Sequence, residues 1–519
     1  MTQPHAGIIY NQAKAGLTSN SNDIASKVYD ASKDTRYFQL QKERSKNCDA
    51  TVSKIKEKLR STGAAEMDFA AYQVEAFIKS IESKRSYETT YMHCDLDSFF
   101  ASVEALLDPS LKGTAFAVGG SVKRGIISTS SYEARKYGVR SGMAVFVAMK
   151  LCPHLNVVHY NHGDKYMNFS KQVQEVFKKY DPEFVSFGCD EATLDITPLL
   201  NDNLHSDQLA KQIQQEVFDK TKLTVSIGVA HTPQLSKIAS DINKPNGIFI
   251  VPKNDDDLKS FLHTLPVRKI PGIGGVNEQI LKGIGIETCG DILLKKAEIW
   301  LTMSHKFCRF VFSAAVGVQP REYESGPQQS ISKDRTIDAT DDKCTLIDLV
   351  ESLARKISKK MKKMRIACRN VAVKFKDINF KVISKSYTFD YDTSDESDLV
   401  NASLKLLLEE RQERSIKLRL VGVKATNLTS PGDKKQSSIK KFLQEKTESS
   451  SPKKIDVKIE KKKSDILSFF AKMNEENEKE DKTKKKKPLQ IAIHMNKSKP
   501  KKNFIQKSKP QKVLISWNL

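Results

Sequence analysis

Tyr91-Met92-His93-Cys94-Asp95-Leu96-Asp97-Ser98-Phe99-Phe100-Ala101-Ser102-Val103-Glu104 is an apolar strand that runs into acids and then into an aromatic pair. A second stretch, Val185-Ser186-Phe187-Gly188-Cys189-Asp190-Glu191-Ala192-Thr193-Leu194-Asp195-Ile196, sets adjacent carboxylates inside another apolar strand pair. Acids beside buried strands are unfavourable unless a cation or a proton neutralises them. Asp95, Asp190 and Glu191 converging from two strands suit two Mg²⁺ ions, which take hard oxygen ligands and share them with phosphates. Mn²⁺ accepts the same donors. Two such ions about 4 Å apart activate an attacking oxygen and stabilise a leaving one. The other reading makes these residues strand-end acids in water. Asp97 and Asp195 alternate with apolar residues and read as structural or solvent-facing rather than as ligands.

Between the acidic stretches lies Ser128-Thr129-Ser130-Ser131-Tyr132-Glu133-Ala134-Arg135. Tyr132 and Arg135 are three apart and share a helix face. A guanidinium fork beside a hydroxyl suits a polyphosphate, while two plain surface residues are the alternative. Further on, Ser240-Asp241-Ile242-Asn243-Lys244-Pro245-Asn246-Gly247 forces a turn after a helix and fixes Lys244 in place. A solvated helix-end lysine is the rival there. Leu265–Gly274 followed by Leu281–Ile286 puts Gly272-Ile273-Gly274 between two helices, a hairpin whose amides approach a phosphate closely. Nucleases and glycosylases use such hairpins too, and a tight interhelical turn needs no ligand.

Residues 91–265 alternate strands with helices. The expected strands are Thr90–Leu96, Ala115–Val118, Gly125–Ser128, Leu155–His159, Phe184–Phe187, Ala192–Ile196 and Thr224–Ala230. Residues 330–428 read β-α-β-β-α-β, with both helices on one face of four strands. The strands are Gln329–Thr336, Arg369–Asp377, Lys381–Tyr391 and Ile416–Thr426, and the helices are Thr345–Met364 and Asp395–Arg411. Lys374/Lys376 and Lys417/Arg419 recur at spacing two, so each pair shares a sheet face that can track phosphates. Lys381, Lys385 and Lys424 join them on these strands; a merely solvated face is the alternative. Residues 1–90 read as polar and helical, with Val52, Ile55 and Leu59 and then Phe69, Tyr72, Val74, Phe77, Ile78 and Ile81 in helical period.

The 519 residues exceed one core, and the net charge of +23 suggests a polyanionic partner. The charge is uneven. From Ser430 onward there are 25 lysines, no arginine and 11 acids, so +14 lies on a tail that reads as disordered. No apolar run spans a membrane, and Met1–Gly16 lacks the pattern of a secretory signal. None of the eight cysteines forms a Cys-x-x-Cys pair, so neither a zinc finger nor a disulfide framework is expected, and a reducing interior fits.

The two acidic stretches resemble the palm motifs of Y-family DNA polymerases: Asp-x-Asp-x-Phe-(Phe/Tyr)-Ala-x-Val-Glu, then Ser-x-Asp-Glu-Ala. Gly188 and Cys94 depart from the usual Ser and branched aliphatic without removing a carboxylate. The resemblance implies an α+β multidomain right hand. Its palm would be 91–110 and 170–265, its fingers 111–169 and its thumb 266–328. The β-α-β-β-α-β unit at 329–428 would be a little finger. Lys14-Ala15-Gly16-Leu17 and Asp30–Phe38 resemble the N-terminal clasp of the kappa branch, giving 1–90 as a clasp; 429–519 is the tail.

On that likeness Asp95, Asp190, Glu191 and the Leu96 carbonyl hold two Mg²⁺, or Mn²⁺, for nucleotidyl transfer. Phe100 sits under the incoming sugar and excludes a 2′-hydroxyl, whereas Phe99 is core. Thr129, Tyr132, Arg135 and Lys244 contact the dNTP. Gly272, Gly274, Lys374, Lys376 and Arg419 contact primer-template DNA. Translesion synthesis and extension of distorted primer ends are the implied work. In the tail, Gln436, Ile439, Phe442 and Leu443 fit a sliding-clamp peptide, and Lys463, Ile466, Phe469 and Phe470 repeat the spacing. Chance hydrophobics are the alternative. Lys484–Lys487 reads as a nuclear import signal or as general DNA attraction. A monomer in the nucleus is expected. Vertebrate members carry zinc-binding ubiquitin fingers in the tail; no cysteine follows Cys368 here. A helix-hairpin-helix nuclease or a silent DNA-binding scaffold are the competing classes.

Overall fold

The computed structural model describes residues 21–430 except 123–124, 161, 320–327 and 414–415. The expectations placed on residues 14–17, on both clamp-like peptides (436–443 and 463–470), on the lysine run and on the tail lie outside the described residues.

Three helices open the described chain: α1 (Ser21–Ser32), α2 (Arg36–Ser61) and α3 (Ala64–Glu82). Thr35 caps α2 by accepting from the Phe38 amide. One stripe of α2 (Phe38, Gln41, Ser45, Cys48, Val52, Ile55) is buried, as its spacing requires. On α3 the buried residues are Ala70, Val74, Ile78 and Ile81. Phe69 and Tyr72, expected on the same stripe, point outward at 61% and 75% exposure.

The chain then builds β1 (Tyr91–Leu96), α4 (Phe99–Leu107), β2 (Phe116–Gly119), β3 (Ile127–Ser130), α5 (Tyr132–Lys136), α6 (Val145–Leu151), β4 (Asn156–His159) and α7 (Gly163–Phe177). It continues through β5 (Val185–Ser186), β6 (Glu191–Asp195), α8 (Ser206–Thr221), β7 (Val225–Ala230), α9 (Pro233–Ala239) and β8 (Ile248–Ile250). Five strands form a central sheet in the order β5-β6-β1-β7-β8, and three form a smaller sheet, β3-β2-β4. β1 is antiparallel to both β6 and β7.

Strand parity sorts the central sheet. Met92, Cys94, Leu96, Leu194, Val225 and Ile227 face α7 and α8 in one apolar core. The alternate residues, including His93, Asp95, Glu191 and Ser226, take the opposite face. There α9 packs against β7 and β1. Gly228 permits it: a Cβ there would stand 2.1 Å from the Ser236 carbonyl oxygen and 2.2 Å from the Ser240 nitrogen. The buried apolar residues of α7 (Tyr166, Val173, Val176, Phe177) belong to this core. The expected border between fingers and palm at 169/170 therefore falls inside one helix.

Helices α10 (Asp255–Thr264), α11 (Gly275–Gly283), α12 (Cys289–Leu294), α13 (Lys296–Thr302) and α14 (His305–Ala315) follow. They share a core with α2 and α3 through Val52, Ile55, Val74 and Ile78 packed with Leu258, Leu281 and Phe312. Only a single 3₁₀ turn, Val267–Lys269, directly precedes Gly272-Ile273-Gly274. The helix before that hairpin is α10.

The last unit is β9 (Ser330–Thr340), α15 (Lys343–Met364), β10 (Ala367–Asp377), β11 (Val382–Thr393), α16 (Glu396–Glu413) and β12 (Leu418–Thr429). Its four strands are ordered β11-β10-β12-β9. Val371, Val373, Phe375, Val421 and Val423 meet Leu353, Ile357, Leu399 and Leu406 of both helices on one face. The β-α-β-β-α-β reading therefore describes this unit. Among the described residues no helix is long and apolar enough to cross a membrane.

Candidate active site

Period-two alternation sends His93 and Asp95 to the same side of β1, and the register sets Asp95 directly across from Glu191. Asp190 precedes the strand, and its carbonyl accepts from the Leu96 amide at 2.8 Å. Gly188, at φ +153°, makes the turn before it in a backbone conformation that side chains rarely adopt. The three carboxylates line one cleft of about 510 Å³ with Leu96, Phe100, Thr129, Arg135 and Lys244. Segments more than a hundred residues apart in the chain thus meet in one concavity.

The carboxylates are not equivalent. Burial, and then the charges of Asp95 and Glu191, raise the Asp190 pKa. Burial alone would raise Glu191 as well, but hydrogen bonds from His93 and Lys237 outweigh it and hold Glu191 down at about 2. Lys237 contacts Glu191 Oε2, and Lys244 Nζ stands 2.5 Å from Asp95 Oδ1. His93 is fully buried, with Nδ1 2.7 Å from Thr193 Oγ1 and Nε2 3.4 Å from Glu191 Oε2. Donor atoms of His93, Asp95 and Glu191 lie within 4.8 Å of one another. That grouping differs from the expected one by containing His93 in place of Asp190. Both ring nitrogens of His93 already face protein oxygens, so it orients Glu191. The remaining donors are carboxylate oxygens, the kind a hard divalent cation takes.

Asp97 is not solvent-facing. It is 3% exposed and ties four segments together. It accepts from Ser226 Oγ at 2.8 Å, Thr224 Oγ1 at 2.9 Å, the Asn246 amide at 2.8 Å and the Tyr132 hydroxyl at 3.3 Å. A buried carboxylate needs such donors, and this one fixes the turn that carries Lys244. It also turns the Tyr132 hydroxyl inward. Burial, and then the charge of Asp97, raise the pKa of that phenol. Arg135 lies 4.5 Å over the Tyr132 ring, so Tyr132 supports the guanidinium that lines the cleft.

Beneath Arg135 lies a second guanidinium that sequence reasoning missed. Arg140 is 4% exposed, and Nη1 donates to the Arg135 and Val139 carbonyls at 2.8 and 2.9 Å. Burial, and then the charge of Arg135, bring its pKa down to about 10. Lys237 and His93 were missed too. Parity with Asp95 would have flagged His93; for Lys237 the sequence offers only one helical lysine among many.

Phe99 is core at 3% exposure. Phe100 is half-buried and faces the cleft, stacked on Tyr166 at 4.4 Å between centroids. Gly272 also lines the cleft, at φ +107°. Gly274 caps α11, with open space where a Cβ would stand. In the last unit Lys374 and Lys376 do share the face away from the helices, but Lys374 is paired with Asp334. Lys385 lies across from Val373 and turns to the helix face, where Glu410 and Glu413 hold it. Lys381 and Lys417 stand just outside the strands.

The sequence profile of the impB/mucB/samB family matches residues 94–241, that of the family's C-terminal domain 328–439, and that of its helix-hairpin-helix motif 255–286. The chain is 34% identical over 457 residues to a DNA polymerase kappa of Arabidopsis thaliana, covering 86% of this chain and 67% of that one. It is 28% identical to human DNA polymerase kappa, of which the match spans 59%. It is 36% identical over 345 residues to a DNA polymerase IV of Shigella dysenteriae, covering 65% of this chain and 95% of the relative. Among solved structures a chimeric Y-family DNA polymerase superposes with a TM-score of 0.58 at 27% identity, over 66% of this chain and all of the other.

Proposed function

As the chain belongs to the Y family of DNA polymerases, in its DinB/kappa branch, and is a DNA-directed DNA polymerase, we propose that it carries out translesion synthesis and extends distorted primer ends in the nucleus. The observation that carries the site assignment is the single cleft that joins Asp95, Asp190 and Glu191 to Phe100, Arg135 and Lys244. On this reading the central sheet is the palm, the three-stranded sheet with α5 and α6 the fingers, α10–α14 the thumb and residues 330–429 the little finger, with α1–α3 as clasp.

Asp95, Asp190, Glu191 and the Leu96 carbonyl would hold two Mg²⁺, or Mn²⁺. When bound, the ions supply Lewis-acid activation of the primer 3′-hydroxyl and countercharge for the pyrophosphate. The protein's own part is positioning. Lys244 and Arg135 grip the triphosphate, with Thr129 beside them. Asp97 holds the Lys244 turn and, through Tyr132, the Arg135 helix at one spacing. His93 and Lys237 orient Glu191. Phe100 bounds the space for the sugar. Backbone amides at Gly272–Gly274 and the open sheet face with Lys374, Lys376 and Arg419 suit duplex phosphates.

Primer extension on undamaged and base-damaged templates tests this. Nucleotide addition with Mg²⁺ that stops on chelation and returns with Mg²⁺ or Mn²⁺ is expected; no addition with either metal would sink the assignment. The protein is proposed to act as a monomer and to reach the sliding clamp through Gln436, Ile439, Phe442 and Leu443. A peptide spanning Gln436–Leu443 should bind the clamp and lose roughly 10-fold or more in affinity with Phe442→Ala, since anchor residues carry most of such an interface. Binding indifferent to Phe442 would refute that site.

A further inference from the structure

Arg140 is a cation in the wall of the active cleft with nothing to neutralise it. It is 4% exposed and lines the cleft together with Thr129, Arg135 and Lys244. Nε and Nη2, the two donors of one edge of the guanidinium, are buried and meet no partner among the described residues. Nη1 alone is engaged, on the Arg135 and Val139 carbonyls. Among the described residues no ion pair engages Arg140. Asp95, Glu191 and Asp241 of the same cleft face Lys244, Lys237 and Lys269 instead.

A role in capping the chain after α5 does not account for this charge. Both carbonyls that Nη1 serves have another donor: the Gly138 amide reaches the Arg135 carbonyl at 2.9 Å, and Ser130 Oγ reaches the Val139 carbonyl at 3.3 Å. Burying an unpaired cation opposes folding, and the like charge of Arg135 adds to the cost. A neutral side chain of similar length suits the folded state better. A local rule broken with no gain in stability points to function. An anion in the cleft reverses the sign, because it offsets both guanidinium charges at once, and charges shielded from water attract it more strongly than exposed ones. Guanidinium groups only donate, so their counterpart is an acceptor-rich oxyanion such as phosphate.

We propose that Arg140 is a positioning residue for phosphate: its buried charge, set beside Arg135, draws the triphosphate of the incoming nucleotide into the cleft and holds it there. The identification of that phosphate as the nucleotide's rests on the polymerase reading; the uncompensated charge rests on the residues. Arg140 acts by its charge, while Arg135 and Lys244 supply the contacts.

Two substitutions in the full chain test it. Arg140→Gln keeps a donor for the carbonyls and removes the charge; Arg140→Lys keeps the charge and removes the planar fork. On a primer-template with Mg²⁺, Arg140→Gln should raise KM for the nucleotide roughly 10-fold. Its kcat and its dissociation constant for the duplex should stay within about twofold of wild type, the pattern of lost ground-state binding. Arg140→Lys should recover most of the lost nucleotide affinity. Without ligands, Arg140→Gln should melt at or above the wild-type temperature, because a buried unpaired charge is gone. Inorganic tripolyphosphate, titrated into the DNA-free chain without metal, should bind wild type and Arg140→Lys alike and bind Arg140→Gln roughly 10-fold more weakly. An unchanged KM in Arg140→Gln, or a lower melting temperature and a raised KM that lysine fails to restore, would overturn the proposal. Loss of duplex affinity in place of nucleotide affinity would give the charge to the DNA backbone and overturn it as well. Primer extension by the wild-type protein is measured separately. If nucleotide addition fails there while tripolyphosphate binding depends on Arg140 as stated, the polymerase reading falls and the phosphate role stands.

Discussion

Primer extension should fall by at least about 10³-fold in Asp190→Asn and in Glu191→Gln, while the two substitutions should move stability in opposite directions. The activity loss should be common because, on the proposed two-metal reading, each removes an oxygen charge from the carboxylate set that would hold the cations, and losses of charge stabilisation at reacting oxygens run to several kcal/mol. The stability effects differ because the surroundings differ. Asp190 is pushed up by burial and by Asp95 and Glu191, so folding disfavours its ionised form and Asn relieves that strain. Glu191 is held down at about 2 by His93 and Lys237, so Gln leaves Lys237 without its partner at a cost on the order of 1–3 kcal/mol. Thermal melting of the metal-free proteins should therefore rise for Asp190→Asn and fall for Glu191→Gln. Extension at the wild-type rate by either variant would end the catalytic assignment. Melting shifts of equal sign would end the account of their environments.

The contrast also shows what a linear sequence conveys. Asp95 and the Asp190-Glu191 pair were legible because carboxylates inside apolar strands have few benign explanations. Strand parity gave the shared face of Lys374 and Lys376. Lys385 lies on its strand, but which face it takes depends on pairing across the hairpin, Val373 opposite Lys385, and the sequence does not print a register. For Asp97 the sequence left a structural and a solvent-facing role both open, because its donors are hydroxyls and an amide from segments up to 149 residues away, none with a local pattern. Lys237 is hidden for a related reason: only the close seating of α9 on Gly228 turns one helical lysine toward Glu191. The two helices flanking the Gly272 hairpin were legible without their bounds, since Val267–Lys269 holds only a single turn and the preceding helix is α10. β8 went unread because three residues are too few for a periodicity. What was lost throughout is long-range register, while the types of residue at the site came through.

On the proposed reading sugar discrimination should turn on Phe100 and not on its neighbour Phe99, whose surroundings differ. Phe100 is held from several sides: stacked on Tyr166 at 4.4 Å and 25°, edge-on to Tyr160 at 5.4 Å, and 5.5 Å from Phe99. Tyr166 is in turn fixed by its hydroxyl on Glu104, which also faces His162 Nδ1 at 2.9 Å. A ring braced in this way cannot yield to an added oxygen by rotating, so the steric cost falls on the ligand. Forcing an extra atom into a packed site costs about 1–3 kcal/mol, or roughly 5–150-fold in kcat/KM. Phe100→Ala should therefore lose most of the preference for deoxyribonucleotides, chiefly by a gain in ribonucleotide kcat/KM. Phe99→Ala should do the reverse. Its ring is buried in the core, so the fold loses about 3–5 kcal/mol while sugar preference holds. Ribonucleotide and deoxyribonucleotide incorporation by both variants, set beside their melting temperatures, separates the cases. If Phe100→Ala admits ribonucleotides no better than wild type, the ring bounds the cleft without gating the sugar.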